Sequence, residues 1–133
     1  MYIVAVDISG RHAVNNHYLM VCAAVSAKIS PECIERIYDV RLCRRVETSL
    51  DINIVCDLIT DSTRGLSGLL VAERGDLYNL ERWRVESILG RRFKYPESLG
   101  ERRAIELAHY ISVAGRDLIK DFVKEYALNI CNA

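Results

Sequence analysis

The sequence predicts an α/β domain built on a mixed five-stranded sheet, in the order β-β-β-α-β-α-β-α, with helices on its faces. Three observations predict it. The chain opens on a β-branched run that ends on an acid, period-two alternation continues through its first third, and two later apolar runs are each reached through a helical stretch. A meander of three antiparallel strands followed by two parallel strands, joined by right-handed crossovers, is the economical way to pair them.

The first strand is Tyr2 to Ile8, with Ile3, Ala5 and Asp7 on one face and Val4, Val6 and Ile8 on the other. Ser9-Gly10-Arg11 and Asn15-Asn16 supply turn chemistry before a second apolar run, Tyr18 to Ala27, so these two form a hairpin with a long loop. Between Cys33 and Val46, Tyr38, Val40 and Leu42 alternate with Asp39, Arg41 and Cys43, which predicts a third strand. Ser49 is the expected N-cap of a first helix carrying Leu50, Ile54, Leu58 and Ile59 up to Gly65. Leu69 to Ala72 is a short fourth strand closed by Glu73 and the turn Arg74-Gly75-Asp76. Asn79 is expected to cap a second helix with Leu80, Trp83, Ile88 and Leu89, stopped by Gly90. Arg91 to Tyr95 is the fifth strand, ended by Pro96. Ser98 and Glu101 form a capping box for a long helix from about Leu99 to Tyr126, whose apolar face uses Ala104, Ala108, Ile111, Leu118 and Phe122.

Composition narrows the class. The 133 residues are 50% apolar and 27% charged, with 18 Lys plus Arg against 18 Asp plus Glu, which describes one folded domain over residues 1–133 rather than a disordered polymer. The longest uncharged run, His12 to Ala27, is interrupted by Asn15, Asn16 and His17, so no membrane span is expected. The opening lacks a basic segment and meets Asp7 early, so no signal peptide is read and a cytoplasmic location is expected. Cys22, Cys33, Cys43, Cys56 and Cys131 are odd in number and set among apolar neighbours. They read as small buried hydrophobes, outside any zinc or disulfide pattern. His12, His17 and His109 are too scattered for a zinc site, and no Walker-type or G-x-G-x-x-G loop is present.

The element order, with Asp7 ending the first strand and Glu73 the fourth, resembles the ribonuclease H-like fold, in particular its resolvase-like branch. The stretch from Phe93 to His109, FKYPESLGERRAIELAH, resembles an uncharacterised archaeal protein family. The first resemblance implies a nuclease in which acids from the first strand, the fourth strand and the last helix hold two Mg²⁺ or Mn²⁺ ions about 4 Å apart and activate water against a phosphodiester. Carried over by position, it implies Asp7 and Glu73 as metal ligands, with Glu101 and Glu106 as the acids available on the last helix. The run Arg103-Ala104-Ile105 has Arg where the family places an Asp.

Plainer readings stand beside these. Asp7 can cap the turn amides of Ser9 and Gly10, Glu73 can be part of a charged turn, Glu101 serves the capping box, and Glu106 can belong to a solvated stripe with Arg102, His109 and Tyr110. Asp57 and Asp61 read as the solvated face of the first helix, and Asp76 as a turn residue.

Three functions are therefore expected in competition. One is a metal-dependent nuclease on structured DNA or RNA; another is a catalytically silent module that binds nucleic acid or a protein. The third is a small-ligand or regulatory homodimer using Tyr78, Trp83 and Tyr95. The neutral total hides a segregation: residues 51–81 hold six acids and two basic residues, and residues 82–103 hold seven basic residues and three acids. Arg91, Arg92, Lys94, Arg102 and Arg103 are accordingly the expected nucleic-acid contacts, unless the two segments mainly pair with each other.

Overall fold

The computed structural model describes residues 1–123. The strands are β1 (Tyr2–Ser9), β2 (Tyr18–Ile29), β3 (Ile34–Glu47), β4 (Leu69–Val71) and β5 (Phe93–Lys94), and the helices are α1 (Ile52–Ser62), α2 (Arg82–Leu89) and α3 (Leu99–Phe122). The five strands form one mixed sheet in the order β3-β2-β1-β4-β5. β2 runs antiparallel to both β1 and β3, whereas β4 is parallel to β1 and β5 parallel to β4.

The alternation in β1 sorts the core into two layers. Val4, Val6 and Ile8 join Met20, Cys22 and Ala24 of β2 beneath Val55, Leu58 and Ile59 of α1 and Val85 of α2. Ile3 and Ala5 join Ala23, Val25 and Ala27 of β2 and Val71 of β4 under Ala104, Ile105 and Ala108 of α3. In the β1–β2 connection, Asn15 and Asn16 both take left-handed φ angles inside a Val14–His17 bridge, the two-residue turn that a pair of Asn favours. Gly10 is required for a different reason. At φ +87° it passes so close to β2 that a Cβ would stand 1.8 Å from the Leu19 carbonyl oxygen.

Several local expectations are corrected. The α1 cap is Asp51, whose carboxylate accepts from the Ile54 N–H at 2.9 Å, because the chain turns two residues after Ser49. α2 starts at Arg82 after Glu81 with no side-chain cap, since Tyr78 and Asn79 are both left-handed and spend the expected cap on a tight turn. Trp83 is exposed, and Val85 is the residue α2 buries. β4 and β5 are shorter than expected, at three and two residues. Leu118 and Phe122 of α3 are exposed: the helix turns Ile111, Gly115 and Ile119 toward the sheet instead, with Ile119 against Leu19 of β2, and the end expected at Tyr126 lies outside the described residues. Cys22 and Cys56 are buried, Cys43 is half-buried and Cys33 is exposed in the β2–β3 turn; Cys131 lies outside the described residues. Among the described residues no helix is long and apolar enough to cross a membrane.

Candidate functional site

Strand register builds the site. Ala5 of β1 pairs with Val71 of β4, so the residues two further along, Asp7 and Glu73, leave the ends of two adjacent parallel strands side by side. α3 crosses the same face and adds residues one turn apart. The resulting groove is lined by Asp7, Glu73, Arg102, Ile105, Glu106 and His109. Three of the four acids expected at the site are therefore brought together. Glu73 is half-buried and Glu106 exposed, whereas Asp7 is 6% exposed.

Asp7 is held from α3. Ser112 Oγ donates to Asp7 Oδ2 at 2.8 Å, and His109 Nδ1 lies 3.2 Å from the same oxygen, a spacing that suits an Nδ1–H donor and leaves Nε2 as the other ring nitrogen. The side chain thus reaches helix α3, where the cap of the Ser9–Gly10 turn had been one expectation. Burial pushes the Asp7 carboxyl above its ordinary range, against the lowering effect of Ser112 and His109.

Beside it stands a second carboxylate. Asp76 Oδ2 accepts from the Ile8 N–H at 3.4 Å, taking a place that β4 would occupy had it continued, and Oδ1 pairs with Arg11 at 3.3 Å. Arg11 also donates to the Gly75 carbonyl and lies over the Tyr78 ring. Burial, reinforced by the Asp7 charge, pushes Asp76 up to about 6 in spite of Arg11 and the Ile8 N–H.

A raised folded pKa means that the folded state holds a proton which the unfolded chain has released. Stability from Asp76 therefore rises as pH falls from about 6 towards 3.8. Urea unfolding at about pH 7 and about pH 5 is expected to show a gain from this group on the order of 1 kcal/mol at the lower pH. In Asp76→Asn the gain shrinks to what Asp7 supplies. An unchanged gain in the variant refutes the assignment.

Glu101 is not in the groove. It is 1% exposed at the start of α3, where Oε1 accepts from the Glu97 and Ser98 N–H groups at 2.9 and 2.8 Å and Oε2 takes Lys94 Nζ at 2.9 Å. Burial opposes its charge, but these donors outweigh burial and hold the carboxyl down to about 2. The expected capping box is present in full.

The basic residues are also dispersed. Arg91 clamps the α1–β4 connection by donating to the Leu66 and Gly68 carbonyls at 3.2 and 2.9 Å, and Lys94 is committed to Glu101 and Glu97. Arg92 is exposed, Arg102 lines the groove and Arg103 pairs with Glu106 at 3.5 Å.

Among the described residues the acidic and basic segments form no ion pair with one another: Arg64 takes Asp61, Arg82 takes Glu86 and Lys94 takes Glu97 and Glu101. Asp57 and Asp61 are on the solvated face of α1, as expected. Of the three aromatics expected at a contact surface, Trp83 is exposed. Tyr95 is buried edge-on to Phe93 with its hydroxyl on the Leu80 carbonyl, and Tyr78 lies on Arg11.

Carboxylates and an imidazole are ligand types that suit a divalent ion. Among the described residues, however, no three His, Cys, Asp or Glu side chains are grouped closely enough to hold one as they stand. Sequence reasoning missed the two partners of Asp7. Their signal was the spacing Glu106, His109, Ser112, a polar row at i, i+3 and i+6 alongside the apolar Ile105 and Ala108. Asp76 and Arg11 carried no comparable signal, because their meeting depends on β4 stopping after three residues.

A family model described as "Uncharacterized protein conserved in archaea (DUF2209)" matches residues 4–120. The chain is also similar to "Uncharacterized protein MJ0095" of Methanocaldococcus jannaschii, with 29% identity over 118 residues that span 86% of this chain and 94% of the relative.

Proposed function

The chain belongs to this archaeal family, DUF2209, and we propose that it is a ribonuclease H-like protein whose groove at the ends of β1 and β4 cuts phosphodiesters of structured nucleic acid. The observation that carries the reading is the Ala5–Val71 register, which sets Asp7 beside Glu73 on the face that α3 crosses with Glu106 and His109. Acids from the first strand, the fourth strand and the last helix thus share one groove, as the resemblance implies. Asp7 and Glu73, joined by Glu106, are the residues that would hold Mg²⁺ or Mn²⁺, and since they are not grouped closely enough as they stand, Glu73 and Glu106 would have to swing toward Asp7 to do so. Such an ion supplies Lewis acidity and a nucleophilic water.

The chain's own contribution is positional. Ser112 and His109 fix the Asp7 carboxylate from α3, and Arg102 gives the groove a cation to meet a phosphate oxygen. Purified protein with Mg²⁺ or Mn²⁺ is expected to cut within a panel of junction, hybrid and single-stranded substrates. Asp7→Asn is expected to lower the rate about a hundredfold or more. Absence of cutting together with absence of heat on calorimetric titration with Mn²⁺ overturns the reading.

A second reading, a silent module of the same fold that binds nucleic acid, is favoured by one specific observation. One of the two Asp7 carboxylate oxygens, Oδ2, is already taken by Ser112 and His109. Under it, salt-dependent binding survives Asp7→Asn and falls on charge reversal at Arg92 and Arg102, whereas Arg91 is spared because it holds the Leu66 and Gly68 carbonyls.

A further inference from the structure

Strand β3 is the free margin of the sheet: it pairs with β2 on one side, and among the described residues it has no strand on the other. Its 14 residues contain neither Pro nor Lys, two of the residues that guard exposed edges. One of its faces is also incompletely covered. Ile37, Val40 and Leu42 stand opposite Ala27, Val25 and Ala23 of β2, on the layer that α3 covers, yet they remain 46%, 44% and 47% exposed. α3 meets this strip at Leu42, beside Gly115.

We propose that a second copy of this chain covers this edge, with the two β3 strands antiparallel about a two-fold axis through Val40. The residue pattern selects that register. Val40 then faces the partner's Val40, and Asp39 faces the partner's Arg41 on the opposite sheet face, with the reciprocal pair made by symmetry. Within one chain Asp39 and Arg41 are already joined at 3.1 Å, so the axis gathers two such pairs into a ring of four alternating charges.

The first of the two irregularities in the β2–β3 pairing agrees with this register. The β2–β3 pairing slips between Asp39 and Ile37, leaving Tyr38 as the extra residue. Tyr38 turns to Tyr2 and Arg36 instead, with ring centroids 5.9 Å apart and the Arg36 guanidinium 5.3 Å from its ring. With Tyr38 set aside, Ile37 meets the partner's Leu42, and a continuous strip of six apolar side chains runs across the axis. Moving the axis by one residue to Arg41 would set Arg41 against the partner's Arg41. This inference is independent of the groove and its chemistry.

Analytical ultracentrifugation of the full chain over a concentration series tests it. The expected mass is twice the 15.1 kDa of one chain. Val40→Lys is expected to sediment as a single chain with an unchanged far-ultraviolet spectrum. Asp39→Arg and Arg41→Asp are each expected to weaken association about tenfold or more, and the double exchange to recover most of that loss.

A single-chain mass at every concentration, as would follow if another partner covered the edge, overturns the proposal. So does a dimer indifferent to Val40→Lys, or a double exchange that recovers nothing.

Discussion

Glu101→Ala is expected to cost the fold about 4 kcal/mol, because it leaves Lys94 without its buried partner and strips two orphan N–H groups from the start of α3. The carboxyl is held near 2 against an ordinary 4.5, a difference worth on the order of 3 kcal/mol. For a domain of this size, the expected fall in Tm is about 10 °C or more. Glu101→Gln can still accept at the cap but carries no charge for Lys94, so it is expected to lose about half as much.

The pH dependence has a defined sign. A depressed folded pKa gives stability that is present above 4.5 and lost as pH falls towards about 2, the reverse of Asp76. The gap between wild type and Glu101→Gln should therefore narrow through that window. A fall in Tm below about 3 °C for Glu101→Ala would show the pair to be dispensable.

The second large effect is expected at Gly10. Gly10→Ala places a Cβ 1.8 Å from the Leu19 carbonyl oxygen and 2.5 Å from Arg116 Nε, at a φ of +87°. That carbonyl accepts from Arg116 Nε at 2.8 Å, so the β1–β2 turn, β2 and α3 are locked at one point and the turn has no room to retreat. The expected cost is about 3 kcal/mol or more.

Gly90→Ala is the natural control. Gly90 also has a positive φ, +68°, but nothing lies within 4 Å of an added Cβ, so that change carries the left-handed penalty alone, about 1 kcal/mol. Urea midpoints for the two variants separate close approach from backbone conformation. Equal midpoints would show that the turn moves freely away from α3.

The architecture was legible because it rests on periodicities. Alternation in Tyr2–Ile8 and in Tyr38–Cys43 marked β1 and β3, and the box Ser98-x-x-Glu101 marked the start of α3. What failed was local backbone choice. Ser49 and Asn79 are good caps by residue type, yet Asp51 and a left-handed Tyr78–Asn79 pair occupy those positions, since the neighbouring chain decides which acceptor faces the free N–H groups.

At the site, Asp7 and Glu73 were legible from strand ends and their meeting follows from register. Glu101 shows the limit of the same logic: as an acid on the last helix it looked like a ligand, but its place at N3 committed it to the cap and to Lys94. His109 and Ser112 were visible only as a polar row on a helix whose rotation over the sheet no single sequence states.

The spacing of Asp7 and Glu73 has a further consequence. It follows from the β1–β4 register, whose last pair, Ala5–Val71, lies two residues before each acid, rather than from the side chains packed beneath. Repacking Val55 or Leu58 on the far layer can spend stability without altering the distance between the two carboxylates. Inserting one residue into either strand would instead throw its acid to the opposite side of the sheet, even with every core contact conserved in kind. Tolerance to drift and sensitivity to length therefore reside in different parts of this molecule. The core is free to diverge, and the two strands that carry the acids have to keep count.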